Sequence, residues 1–341
     1  MMVAHHPDWD AYPTPVDLPP VVINDPALPL VSIVTPSFNQ GRYIRETIES
    51  VLTQDYPNIE YWVIDGGSND DTLSVLAAYE NDPCLNWMSE PDAGQSDAIN
   101  KGWSRCRGAI LAWLNSDDTY LPGAIRAQVN ALLRNPACGV VYGDAIYVGP
   151  DSRPIARLAG RPYDLLRLVR LELPIQPTTF LRRCVCEQIG PLNNRFRYSM
   201  DTEYWVRAAR VTSFCYERFW AATYRLHQHS KTVADFDGFY RDWLAIVDAF
   251  FSDPVWSNRY RDQRRSVYAD IYSAMANLEA KQGALARSLR YLIRAAALGG
   301  LRPRMAKWPV CLLERYLPVA VTPKLTQMWA ALQRRSYTSN K

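Results

Sequence analysis

The sequence is poor in the features that define several specialised chain classes. Its seven cysteines are odd in number and scattered, with no Cys-x-x-Cys pair; Cys184-Val185-Cys186 is the tightest spacing. That excludes a disulfide framework as the organising principle, predicts buried or half-buried free thiols and points to a reducing compartment. No apolar run approaches the ~20 residues a membrane-spanning helix needs. Met1 to Asp10 holds two histidines and two acids, not the basic-then-apolar pattern of a secretory signal. A cytoplasmic protein is therefore expected. Blocks of like charge are missing as well. The 38 Lys and Arg against 35 Asp and Glu leave a formal charge of +3, spread along the chain, which is too little to argue for nucleic acid. A weakly basic chain suits an anionic small substrate or a place near an anionic membrane. Neither the Gly-x-Gly-x-x-Gly fingerprint nor a Gly-x-x-x-x-Gly-Lys phosphate loop occurs.

With 341 residues, 48% of them hydrophobic, the chain is long enough for one or two domains with a large core. Residues 1–29 are rich in Pro, Asp and Tyr without periodicity and read as an extended lead-in. From Leu30 the pattern turns regular. Val31 to Thr35 is a short β-branched strand, followed by a turn at Pro36–Gly41 and a helix over about 41–54 with Ile44, Ile48, Val51 and Leu52 on one face. Tyr61 to Ile64 is a second strand, ending at Asp65-Gly66-Gly67. Ser68 reads as the cap of a helix that runs to about Glu80. A strand at Leu85–Met88, a helix at Gln95–Arg105, a strand at Ala109–Leu114 and a helix from Pro122 to Arg134 follow. Gly139–Val148 is a further strand.

Strand and helix alternate at short spacing, which predicts an α/β domain over 30–235 with a mostly parallel sheet covered by helices on both faces. Thr178–Leu181 and Ala221–Leu226 add strands, and Asp201–Arg210 a helix. Residues 236–341 change to helices, at Phe239–Phe251, Tyr260–Lys281 and Leu285–Leu298, with Gln282-Gly283 as a hairpin turn. Leu301 to Leu332 mixes Arg and Lys with Trp308, Leu312, Leu313, Tyr316 and Trp329, a composition that fits helix packing or peripheral membrane contact.

In a parallel sheet, ligands bind at the carboxyl ends of the strands. Thr35–Asn39, Asp65–Ser68 and Asn115–Asp118 all fall there, so one topological rule brings three polar clusters to one site. Asn115-Ser116-Asp117-Asp118 follows an apolar strand; it fits a capped turn and equally a site for a hard cation such as Mg²⁺ or Mn²⁺. Asp65 before two glycines fits a structural turn, or an acceptor for a base N–H or a ribose hydroxyl. Asp97 and Lys101, one helical turn apart, can pair with each other or face a nucleotide. Asp201 opens a helix, where an acid complements the dipole; a carboxylate there can also serve as general base. In Arg225–Thr232, a solvated loop competes with a reading in which His227 completes a metal shell and Arg225 or Lys231 meets phosphate.

These residues match a family. The stretches Val-Ser-Ile-Val-Thr-Pro-Ser-Phe-Asn-Gln at 31–40, Val-Ile-Asp-Gly-Gly-Ser at 63–68, Glu90–Gln95 leading into Asp97–Gly102, and Trp113–Asp118 closely resemble family 2 glycosyltransferases. Gln176–Thr179 and the Asp201 segment extend the likeness to about 232. The resemblance implies a GT-A fold, a nucleotide diphosphate sugar donor, a divalent metal (Mn²⁺ or Mg²⁺) and inversion at the anomeric carbon. It implies that Thr35, Pro36 and Asn39 line the nucleotide pocket with Gly67. Asp65 would contact the base, and Asp97 and Lys101 would lie beside the nucleotide. Asn115 stands where the family's Asp-x-Asp motif has its first acid, so it and Ser116 would face the donor without contributing charge. Asp117 is then the main metal ligand, with Asp118 a second candidate or the group that orients it, and Asp201 matches the catalytic base.

The expected activity is transfer of one sugar from a UDP- or dTDP-sugar to a glycan or lipid-linked acceptor, at the cytoplasmic face of the membrane, in polysaccharide or glycoconjugate synthesis. Processive relatives carry membrane spans and a Gln-x-x-Arg-Trp motif, and this sequence has neither. A non-catalytic nucleotide-sugar binder and a metal-dependent phosphohydrolase or nucleotidyltransferase are the rival readings.

Overall fold

The computed structural model describes residues 28–172, 174–227 and 236–299. The lead-in up to residue 27, positions 228–232 of the polar loop and the 301–332 segment lie outside them. The chain divides into two compact units, one of Met1–Leu168 with Glu172–Gly238, the other of Val169–Leu171 with Phe239–Lys341.

The first unit is built on a nine-stranded sheet of order β3-β2-β1-β4-β8-β6-β9-β5, with β7 paired to β6. One half is wholly parallel: β1 (Val31–Ser37) lies between β2 (Ile59–Asp65) and β4 (Ile110–Trp113), and β3 (Leu85–Ser89) flanks β2. Its crossovers are the helices α1 (Ile44–Leu52), α2 (Thr72–Ala77) and α3 (Gln95–Trp103). The other half is mixed. β8 (Phe180–Arg182) runs antiparallel to β4 and to β6 (Cys138–Val148), while β9 (Ser213–Arg225) runs parallel to β6. β7 (Pro154–Leu158) follows β6 after a short turn, and so short a link joins only antiparallel neighbours. The two-residue β5 (Thr119–Tyr120) closes the far edge against β9.

Alternation along the strands assigns two faces. Val31, Ile33, Tyr61, Val63, Ile110, Ala112 and Leu114 pack with Ile44, Ile48 and Val51 of α1 and with Ile125, Val129 and Leu132 of α4 (Ala124–Arg134). The residues between them face the other way. Trp113 stacks on Trp205 of α7 (Met200–Ala208) at 5.1 Å and meets Trp103 of α3 edge-on at 5.5 Å. Helices α5 (Leu165–Val169) and α6 (Arg183–Ile189) complete this unit's order. α3 lies so close to β1 that a Cβ on Gly102 would stand 2.5 Å from Val34 Cγ1.

Four local expectations are corrected. Ser68 caps no helix: α2 starts at Thr72, whose backbone N–H and hydroxyl are both accepted by Asp70. Pro122 precedes α4 by two residues, because Gly123 takes a left-handed φ of 79° to start it. β9 begins eight residues before Ala221, since β6 offers it a partner edge that no local pattern reveals. Finally, Cys138 and Cys215 form a disulfide between β6 and β9, so only Cys84, Cys106, Cys184 and Cys186 are free among the described cysteines.

The second unit is helical: α8 (Phe236–Ser252), α9 (Pro254–Arg259), α10 (Arg264–Gln282) and α11 (Leu285–Gly299). Asp253 caps α9 by accepting the Val255 and Trp256 N–H groups, with Pro254 at the first helical position. Phe250 of α8 stacks on Trp256 at 4.6 Å. Gly283, at φ 79°, ends α10 and makes the hairpin into α11 that Gln282-Gly283 foretells. Among the described residues no helix is long and apolar enough to cross a membrane.

The approach of α3 to β1 gives a direct test. Gly102→Ala forces a methyl group into Val34 and is expected to destabilise the protein by about 1–3 kcal/mol. Urea denaturation checks this; an unchanged midpoint would contradict the packing described.

Candidate active site

Two loops at the ends of β1 and β2 are sewn together. Asn39 donates its backbone N–H to Ser68 Oγ at 2.7 Å, and its side-chain oxygen accepts the Asn69 N–H at 3.0 Å. Gln40 N–H reaches Thr72 Oγ1 and Gly41 N–H reaches Asp70. Asn39 sits at φ 53°, a left-handed conformation that asparagine tolerates better than most residues. Thr35 is fully buried, paired with the Tyr61 hydroxyl at 2.9 Å, and Pro36 is buried beside it.

Asp65 is also fully buried. Its carboxylate accepts the Gly67 and Ser68 N–H groups at 3.1 and 2.9 Å, the Ser68 hydroxyl at 2.5 Å and the Ser89 hydroxyl at 2.7 Å. A carboxylate offers roughly four acceptor sites, so these donors fill it. Asp65 thus holds the turn in shape, and a base N–H reaches it only if one of the two hydroxyls turns aside. Gly67, at φ 82°, completes this turn, and Phe38, 59% exposed, stands at the tip of the adjoining loop.

The end of β4 carries a polar network. Asn115 accepts from the Gln95 amide at 2.6 Å and donates to Gln176 Oε1 at 3.1 Å and to Asp118 at 3.3 Å. Gln176 in turn donates to the Trp113 carbonyl at 2.8 Å. Both ends of the Asn115 amide are therefore engaged by protein. Ser116 is buried next to it.

Asp117 and Asp118 part company at this point. Asp118 turns inward, where it accepts the Arg225 N–H at 2.8 Å. Burial, reinforced by the neighbouring Asp117 charge, pushes its carboxyl well above the usual range. Asp117 turns outward, and its Oδ2 lies 3.0 Å from Nε2 of His227, which follows β9.

Arg225 holds this arrangement from below. Its side chain is 1% exposed. Nε donates to the Asp117 carbonyl at 2.7 Å, Nη1 to Ser152 Oγ at 2.8 Å and to the Gly149 carbonyl, and Nη2 to Glu46 at 2.8 Å. The guanidinium also lies over the Tyr43 ring, 4.7 Å from its centroid, and the same ring stands 5.0 Å from His227. The expectation that Arg225 meets phosphate is corrected: its donors are directed into the protein. Lys231 falls outside the described residues.

The start of α3 brings in the other expected groups. Lys101 pairs with Glu90 at 3.0 Å and with Asp97 at 3.5 Å, and its pKa is raised mainly by the Glu90 contact. Asp97 also accepts the Ala93 N–H at 3.1 Å. Of the two readings open for this pair, mutual pairing is the one observed. Ser96 of α3 donates to Met200 Sδ at 2.9 Å, which ties the start of α3 to the start of α7. There Asp201 is half-buried and accepts the Thr202 N–H at 2.7 Å.

Among the described residues, no group of three or more His, Cys, Asp or Glu gathers as a metal site. The Asp117–His227 pair is nevertheless a fitting donor set. An oxygen and a nitrogen that follow the ends of β4 and β9, 110 positions apart in sequence, converge at 3.0 Å, and hard divalent cations commonly take few protein ligands and fill the rest with substrate phosphate and water. Asp118 does not join the pair. Sequence reasoning missed Glu46 and Tyr43, which lie outside the motifs and meet Arg225 only in the fold.

The buried fork of Arg225 is the part most open to a stability test. Arg225→Met strands the Asp117 and Gly149 carbonyls and is expected to cost about 3 kcal/mol. Arg225→Lys should recover less than half, because an ammonium cannot span the same partners. Denaturant unfolding measures both, and a loss below about 1 kcal/mol for the methionine variant would show the fork to be dispensable.

Comparison with known proteins adds the remaining observation. The model of glycosyl transferase family 2 matches residues 32–190. An uncharacterized glycosyltransferase of Mycobacterium tuberculosis is 33% identical over 189 residues, covering 54% of this chain and 70% of that one. An uncharacterized glycosyltransferase of Rickettsia prowazekii is 27% identical over 216 residues, covering 60% of this chain; the chain spans 66% of that relative's length. Among solved structures, the mannosyltransferase PcManGT from Pyrobaculum calidifontis, in complex with GDP-Man and Mn²⁺, aligns with a TM-score of 0.58 at 18% identity over 93% of this chain and 88% of that one. S. aureus TarS 1–349 in complex with UDP-GlcNAc aligns with a TM-score of 0.55 at 15% identity, covering 82% and 91%. At such identities these two show a shared fold, the GT-A fold that the motifs imply. The fold, the family match and the Mycobacterium relative agree, and the chain belongs to glycosyl transferase family 2.

Proposed function

We propose that the protein moves one sugar from a nucleotide diphosphate sugar to an acceptor hydroxyl, with inversion at the anomeric carbon. The observation that carries this reading is the convergence of Asp117 and His227 at 3.0 Å, at the carboxyl end of the sheet. A nucleotide would lie along the Asn39 and Gly67 turns, with its base against Phe38, and its diphosphate would reach Asp117 and His227. The closed turn around Asp65 shapes the base pocket, and Thr35 and Pro36 support it from within the strand. Asp97 and Lys101, paired to each other, border the nucleotide without offering it a free charge. Asn115 and Ser116 line the donor side as neutral groups.

Asp201 is the general base. Its carboxylate takes the proton of the acceptor hydroxyl as that oxygen bonds to the anomeric carbon, and the bond to the diphosphate breaks with its electron pair leaving on phosphate oxygen. Asp117 and His227 would hold a Mn²⁺ or Mg²⁺ ion, which supplies charge neutralisation at the leaving diphosphate. Single transfer per encounter is favoured over processive synthesis. UDP- and dTDP-sugars are favoured as donors: the imide N–H of uracil or thymine would reach Asp65 once the Ser68 or Ser89 hydroxyl turns aside, and of the two solved neighbours one carries UDP-GlcNAc and the other GDP-Man. A glycan or lipid-linked acceptor, presented at the cytoplasmic face of the membrane during synthesis of a surface polysaccharide or glycoconjugate, fits this chemistry.

Three measurements test the reading. A thermal-shift screen of UDP, dTDP and GDP with Mn²⁺ should show stabilisation by a uracil or thymine nucleotide that Asp117→Ala abolishes; Mn²⁺-dependent binding that survives this change would refute the ligand role. Asp201→Asn should lower kcat by about 10²–10⁴ with donor binding kept, and wild-type turnover by that variant would sink the base assignment. Nucleoside diphosphate should be released from the donor when acceptor is present; steady release of sugar phosphate or free phosphate from donor alone would favour a phosphohydrolase.

A further inference from the structure

Helix α11 is docked by one face and displays another. Ser288 and Ala295 are fully buried, and the Ser288 hydroxyl donates to the Ala276 carbonyl of α10 at 2.7 Å. Arg287 of α11 pairs with the buried Glu279 of α10 at 3.0 Å. Leu285, Leu289 and Ile293, four residues apart and so on one line along the helix, are 45%, 52% and 62% exposed. At 100° per residue, Arg290 and Arg294 follow this stripe around the helix, separated from it by the small side chains of Ala286 and Ala297. Arg290 is exposed, and α11 contains no acidic residue.

The charge of the chain is distributed to match. Residues 285–341 hold eleven of the 38 Lys and Arg but one of the 35 Asp and Glu, so they carry +10 while residues 1–284 carry −7. The near-neutral total conceals this division. A second copy of this chain laid on the stripe would set the arginine-bearing, acid-free helix α11 against its own like. A surface of lipid anions reverses that sign. It accepts the leucine and isoleucine side chains at the boundary of headgroups and acyl chains, and it attracts the arginines beside them.

We infer that α11 docks the protein onto an anionic lipid surface through Leu285, Leu289 and Ile293, with Arg290 beside them. This deepens the membrane-face placement proposed above. The test reads lipid binding without catalysis, so its failure leaves glycosyl transfer standing. The full chain is sedimented with vesicles of phosphatidylcholine containing about a third phosphatidylglycerol and with vesicles of phosphatidylcholine alone. Binding to the anionic vesicles should be at least about tenfold tighter and should weaken as salt is raised. The double substitution Leu289→Ser with Ile293→Ser adds no charge and touches exposed positions; it should lower anionic-vesicle binding about tenfold while leaving the nucleotide thermal shift unchanged. Arg290→Glu should also weaken it. Equal binding to the two vesicle types, no binding, or undiminished binding by the double variant would overturn the inference. So would a wild-type dimer in gel filtration that the double variant converts to monomer, because the stripe would then belong to a second copy.

Discussion

The end of the sheet that carries Asp117 and His227 depends on one buried cation. A guanidinium removed from water is tolerated only where its donors find acceptors, and Arg225 finds them on separate segments: Glu46 in α1, the Asp117 carbonyl after β4, and Gly149 and Ser152 in the turn before β7. Its own backbone N–H is taken by Asp118. A single side chain thereby sets the distance between the end of β4 and the end of β9. That distance decides whether Asp117 and His227 meet. Tyr43, against the guanidinium on one side and near the His227 ring on the other, carries the same constraint to the imidazole.

The parallel half of the fold was legible because its causes are local. β-branched runs, helical spacing of Ile44, Ile48 and Val51, and turn residues at each strand end specify β1 to β4 and their helices one after another. What escaped reading has non-local causes. The first half of β9 is a strand because β6 lies beside it, although Ser213 to Trp220 shows no clean alternation. The Cys138–Cys215 bond joins residues 77 apart, and no spacing rule connects them. Ser68 resembles a helix cap in sequence, but the carboxylate of Asp65 competes for it and wins through three hydrogen bonds counting the turn's own N–H groups.

The site divides along the same line. That Asn115 is neutral and that Asp117 follows a buried strand are facts of sequence, and strand-end topology gathers them with Asn39 and Gly67. The direction of each side chain is a different matter. Asp117 and Asp118 are adjacent and chemically identical, yet one faces outward and the other accepts a hydrogen bond from a residue 107 positions on. Arg225 reads equally well as a phosphate ligand or a buried strut, until Glu46 and the 149–152 turn are seen around it.

The neutral amide at position 115 has a further consequence for how the site meets a polyanion. Two carboxylates at the mouth would both repel an approaching diphosphate, each by a few kcal/mol at about 4 Å in a protein-like dielectric. Here Asp118 is withdrawn and Asn115 carries no charge, leaving Asp117 as the one outward-facing acid of the turn. An anion approaching this turn therefore meets about the repulsion of one carboxylate rather than of two.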